Sequence, residues 1–175
     1  MMAESHPLAP VEAAALLRAS ADAVQAEVNA LPATVAAWHP APGEWCVKEC
    51  LGHMIEAERR GFAGRIRRIL DEPGRFETSW DQVEVQRARH DCDSEVASIL
   101  EEFLQLREDS AKLVRGIAET QLDLACNHAT VGELSVRDLL HEWPHHDRNH
   151  IRQMQANVQA YLWPSMGNAQ KFSAE

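Results

Sequence analysis

The sequence lacks any run of about 18 apolar residues, so no transmembrane helix is expected and no membrane partner. It also lacks a basic excess. Acidic residues number 27 against 17 lysines and arginines, a net charge of -10, which argues against binding to DNA, RNA or an anionic membrane surface. The four cysteines, Cys46, Cys50, Cys92 and Cys126, form no C-x-x-C pair. The first residues, Met1 to Pro7, have no basic start and no apolar stretch, so they do not read as a secretory signal. Reduced thiols in a cytoplasmic protein are the expectation. Strand-like alternation, internal repeats and low-complexity segments are missing as well.

What is present is helical periodicity in a chain of 175 residues, a length that fits one domain, 1–175, with a core that needs no disulfide. The first helix is expected at about 10–31. Leu17, Ala21, Val24, Val28 and Leu31 form its seam, Pro10 suits its first turn and Pro32 stops it. The second is expected at about 47–70, with Val47, Leu51, Ile55, Phe62, Ile66 and Ile69 as its stripe. Cys46 takes its cap position and Glu49 the third position of a capping box. Cysteine accepts hydrogen bonds poorly, which makes the cap weaker than serine would. The Cys46/Cys50 spacing reads as core packing, because a free cysteine behaves as a small hydrophobe, with a redox or ligand role as the alternative.

Residues 71–93 read as a long polar connection containing Trp80, too long for a tight turn between antiparallel helices. A third helix follows at about 94–119 and a fourth at about 136–162, capped by Ser135 with Asp138 three residues on. Pro144 removes a backbone donor inside the fourth helix, and a kink is expected there. The tail beyond Trp163 is expected to be poorly ordered. The arginines 59, 60, 65, 67 and 68 lie among glutamates and read as a solvated helix face.

The chemistry-bearing stretch is His146-Asp147-Arg148-Asn149-His150. Its two imidazoles are one helical turn apart and share the apolar arc with Leu139, Trp143 and Met154. Buried imidazoles need partners, and a divalent metal satisfies both at once. The spacing matches that of the H-E-x-x-H metalloproteases, but Asp147 fills the glutamate position and nothing downstream supports a protease. For a third ligand the candidates are His53, His90, His128, His141 and His145. His141 and His145 fall on the back of the fourth helix, and His53 at the margin of the second helix's stripe. Periodicity leaves the choice open. Asp147, Glu142 and Glu58 are the carboxylates placed to orient the imidazoles.

Two segments resemble the signatures of the DinB/YfiT-like superfamily. One is Trp45-Cys46-Val47-Lys48-Glu49-Cys50-Leu51-Gly52-His53-Met54. The other runs from Gly132-Glu133-Leu134-Ser135-Val136-Arg137-Asp138-Leu139-Leu140 to His146-Asp147-Arg148-Asn149-His150. Cys46 stands where the family usually has serine. The resemblance covers nearly the whole chain. It implies an all-α, up-down-down-up four-helix bundle with a long crossover between the second and third helices, often as a homodimer. It also implies a metal held by three histidines, which fall here on His53, His146 and His150. Zinc or nickel is the expected ion, with iron, cobalt and copper compatible with nitrogen ligands. Three imidazoles leave a coordination position open. Characterised members suggest a transferase or isomerase that uses a low-molecular-weight thiol of the mycothiol or bacillithiol kind, or a hydrolase, acting on a small-molecule substrate. The competing reading is a non-catalytic, metal-binding dimeric bundle with a stress-related role.

Overall fold

The computed structural model describes residues 6–173. Most of the segment read for a leader, residues 1–5, lies outside them. Four long helical units build the molecule: α1 (Pro10–Ala30), α3 (Val47–Glu56) continued through a π-helical stretch Ala57–Phe62 into α4 (Ala63–Asp71), α6 (Val96–Arg115) and α7 (Val136–Leu162). Two short helices, α2 (Ala33–Ala36) and α5 (Gln82–Arg89), lie in the connections. The ends of the helices agree with the periodic segments to within a few residues. α7 runs through Pro144 without interruption.

The packing fixes the topology. The start of α1 (Ala13, Leu17) shares an apolar cluster with the end of α6 (Val114), the start of α7 (Leu139, Trp143) and α4 (Ile66, Ile69). The end of α1 (Val24, Val28) shares a second cluster with the start of α6 (Ile99, Phe103), the later part of α7 (Met154) and α3 (Leu51, Ile55). Thus α1 and α7 run one way and α3–α4 and α6 the other. The bundle is up-down-down-up, with a long crossover from α4 to α6.

Between the two clusters lies Arg107, 1% exposed. Its Nε donates to Glu58 Oε2 at 3.0 Å, Nη1 to Asp147 Oδ2 at 2.6 Å and to the Leu17 carbonyl at 2.9 Å, and Nη2 to Asp147 Oδ1 at 3.2 Å. One guanidinium therefore joins all four helical units. Burial pushes the Glu58 carboxyl up, against the pull of that cation.

Several expectations need correction. The second helix is not one α-helix. Ala63 N–H bonds the Glu58 carbonyl, five residues back, and the wider π turn follows closely on His53. Gly64 permits it: a Cβ there would sit 1.9 Å from the Arg59 carbonyl oxygen. The 71–93 connection is also not bare loop. It holds β1 (Phe76–Glu77) and α5, whose cap Asp81 accepts from Val83 N and Glu84 N. Nor is the chain free of strands. β1 pairs in parallel with β2 (Ala125–His128), which pairs antiparallel with β3 (Gly132–Ser135). Strands of two to four residues are too short to show alternation in sequence. Beyond Trp163, residues Trp163–Phe172 form 3-10 turns in place of the expected disorder. The arginine cluster is only partly a solvated face. Arg65 and Arg68 close on the buried Glu77, and Arg59 and Arg60 on Glu56.

Removing the cation alone leaves two carboxylates buried without a counter-charge. Arg107→Met is expected to lower the unfolding free energy by about 3–5 kcal/mol. Adding Glu58→Gln and Asp147→Asn should recover much of that loss. Urea unfolding of the two proteins checks this; a loss below about 1 kcal/mol in Arg107→Met, the level of an exposed pair, rejects the network as the bundle's central tie.

Candidate metal centre

α3 and α7 run antiparallel, and their facing positions bring three imidazoles together. His53 comes from α3, and His146 and His150 come from successive turns of α7. One ring nitrogen from each lies within 4.8 Å of the others. The Nε2 atoms of His53 and His146 are 3.2 Å apart, close to the edge of about 3.3 Å expected for two nitrogens on a tetrahedral zinc at about 2.0–2.1 Å. His150 Nδ1 is held by Gln153 Oε1 at 3.0 Å, which leaves its Nε2 free. The His53 and His146 Nδ1 atoms are buried with no hydrogen-bond partner among the described residues.

Burial sets the protonation. It pushes His53 down to about 4, with His150 adding repulsion, and His146 down to about 3, with His150 and His53 adding theirs. His150 is lowered too, chiefly by burial. All three rings are therefore neutral at pH 7, the state that coordinates a metal. Neutral, clustered, inward-facing imidazoles whose nitrogens converge are a donor set that fits a divalent ion.

Aromatic side chains wall the cluster. His53 lies between Trp45 and Trp80, with ring centroids at 4.8 and 5.8 Å. Phe62 meets His146 edge-on at 5.1 Å. Trp45 precedes the cap of α3 and is fixed through its carbonyl, which accepts from Asn157 Nδ2 at 2.7 Å. Trp80 is delivered by the crossover. A cavity of about 350 Å³ opens beside His53 and His146, and Phe62, Trp80, His128 and Glu142 are among its walls. Glu142 lies one helical turn before His146, on the same face of α7.

The other candidate ligands fall elsewhere. His90 is exposed, in left-handed backbone at the end of α5. His128 is buried at the end of β2 on the cavity wall, where its Nδ1 accepts from Thr130 N. His141 accepts from Leu8 N through Nε2, and His145 is exposed. Of the carboxylates expected to orient the imidazoles, Asp147 and Glu58 serve Arg107 instead. Trp45, just before the cap of α3, and Trp80, inside the crossover, carry no periodic signal that marks them as parts of the site.

The DinB superfamily model matches residues 9–154, most of the chain, and the chain belongs to that superfamily. Among solved structures, YfiT from Bacillus subtilis superposes with a TM-score of 0.81 at 13% sequence identity, covering 93% of this chain and 94% of that one. It is described as a probable metal-dependent hydrolase with an unusual four-helix bundle topology. At that identity the likeness shows a shared fold. No curated protein matches the chain.

Two measurements test the centre. Elemental analysis should show His53→Ala, His146→Ala and His150→Ala each holding one divalent ion fewer per chain than wild type; an unchanged count in His53→Ala removes that residue from the ligand set. The metal-free protein should also lose stability as pH falls. The folded pKa values of His53 and His146 lie below the ordinary 6.5. Between about pH 6.5 and 3 the unfolded chain thus binds more protons, and stability is lost as pH falls through that window. Urea midpoints at stepped pH should fall more steeply for wild type than for His53→Gln/His146→Gln, and equal slopes would reject neutral burial of the pair.

Proposed function

We propose that this protein is a divalent-metal-dependent enzyme acting on a small molecule, with His53, His146 and His150 as the ligands and a low-molecular-weight thiol as the transferred nucleophile. The observation that carries the metal reading is the convergence of three neutral imidazoles, two of which, His53 and His146, line a cavity large enough for a small substrate. Bound there, a divalent cation supplies Lewis acidity and depresses the pKa of the water or thiol that completes its coordination. The chain's own residues do the rest. Trp45 and Trp80 hold the His53 ring between them and keep water from its faces. Gln153 fixes the tautomer of His150 by accepting its Nδ1 proton in a hydrogen bond, which leaves Nε2 as the free donor. Glu142 lines the cavity, where its carboxylate is placed to take the proton from an incoming nucleophile.

The thiol part of the reading rests on the resemblance to thiol-using members of the superfamily. Hydrolysis is the second reading, favoured by the description of the Bacillus subtilis structure; water then replaces the thiol in the same place. Cytoplasmic residence and a homodimer complete the proposal, the latter open to sedimentation analysis.

Cobalt-loaded protein separates these readings. If a thiol is the nucleophile, adding millimolar low-molecular-weight thiols one at a time should shift the visible d–d bands with one of them, and His146→Ala should abolish the response. Bands that ignore every thiol, together with cleavage of simple esters or amides, would assign the hydrolase. Glu142→Gln should lower kcat by about 100-fold with metal content unchanged. Neither thiol response nor turnover leaves the non-catalytic bundle.

A further inference from the structure

A second cluster of ligand-type side chains lies outside the three-histidine site. It sits where the crossover returns to the start of α3. Cys46 caps α3 and Glu49 stands in its first turn. His39 comes from the segment after α2, and Cys92 from the 3-10 turn Asp91–Asp93 that precedes α6. One donor atom from each of the four lies within 4.8 Å of the others. The two sulfurs are 2.9 Å apart, Cys92 Sγ is 3.7 Å from His39 Nε2, and His39 Nε2 is 2.8 Å from Glu49 Oε2.

We propose that His39, Cys46, Glu49 and Cys92 form a second cation site, for a thiophilic divalent ion of the zinc class, which clasps the crossover to the N-terminus of α3. The donor set carries the choice of ion. Two sulfurs with an imidazole and a carboxylate suit zinc and exclude magnesium or calcium. So does the spacing. With bonds of about 2.3 Å to sulfur and 2.0–2.1 Å to nitrogen, a tetrahedral ion sets sulfur–nitrogen edges of about 3.6 Å and a sulfur–sulfur edge of about 3.8 Å. The Cys92–His39 distance already matches. The sulfurs must part by less than about 1 Å, a change within reach of rotation about the Cys92 side chain, which is only half-buried, and the His39–Glu49 pair by about 0.5 Å, within reach of the exposed His39 side chain.

The surroundings hold these ligands in place. Glu49 Oε1 accepts from Gln86 Nε2 of α5 at 2.8 Å, and Oε2 accepts from Cys46 N at 2.9 Å. The Lys48 ammonium donates to the Cys92 and Ser94 carbonyls at 3.1 and 2.8 Å, pinning the turn that presents Cys92. Such outer contacts are what a metal site needs to keep its ligands aimed. Burial raises both thiols above their ordinary range, so loading releases protons and strengthens with rising pH. With four protein donors the site is closed, a structural clasp in contrast to the open three-histidine centre. Nothing in it depends on the function proposed for that centre.

Cobalt titration of the full chain, kept reduced, tests this. Wild type should take up two ions and develop a near-ultraviolet thiolate-to-cobalt charge-transfer band. His146→Ala should take up one ion and keep the band. Cys92→Ser should take up one ion and lose it. Cys46→Ser should also lose it, and because serine caps better than cysteine its helicity by circular dichroism should be retained. His39→Ala, altered at an exposed side chain, should weaken cobalt binding at the thiolate site by about tenfold or more. A reduced wild type without the band overturns the proposal. So does a band that survives in Cys92→Ser, which would place the ion on Cys50 or Cys126.

Discussion

The fold depends on one buried guanidinium. Arg107 touches a carboxylate on the π stretch, a carboxylate on α7 and a backbone carbonyl on α1 while itself rooted in α6. Each partner is desolvated, so each is stable only while the others are present, and the four helices cannot rotate independently about their axes. This constraint reaches the site directly. Asp147 follows His146 in the chain, so the pull of Arg107 on Asp147 sets the rotation of α7 that presents His146 and His150. Glu58 performs the same service for the segment after His53. The apolar clusters on either side supply most of the driving force for collapse; the charged layer between them selects which faces meet.

The π turn belongs to the same arrangement. It inserts an extra residue into the turn where Glu58 must reach Arg107 while Phe62 reaches Trp143 and His146. Gly64 is the local requirement, because any side chain there meets the Arg59 carbonyl. A strained or widened helical turn beside a functional cluster is a recurrent pattern, and here its cause is traceable to one glycine and one carboxylate.

Much of this was legible in the sequence. The four helices follow from apolar spacing and from caps such as Ser135 with Asp138. His146 and His150 follow from sharing a face with Trp143 and Met154. His53 does not, because periodicity puts it at the stripe's edge; the resemblance to a family pattern singles it out. The burial of the central charged residues is not legible in the sequence, for a physical reason. A sequence marks Arg107, Glu58 and Asp147 as polar, and polar residues are rarely buried unless paired; pairing across 40 or more positions leaves no local trace. The same distance hides Cys92 from Cys46. α5 does leave a local trace, since Asp81 followed three residues later by Glu84 is a helix-start pattern.

The unpartnered Nδ1 atoms of His53 and His146 have a consequence for selectivity over time. Carboxylates or carbonyls behind a ligating histidine raise its basicity and lock its ring, and they slow the departure of the ion. Among the described residues, two of the three proposed ligands have no such backing, and His150 has Gln153. An ion held by the proposed centre should therefore exchange readily with the surrounding pool, and its occupant at any moment should reflect which divalent metal is abundant more than which fits best.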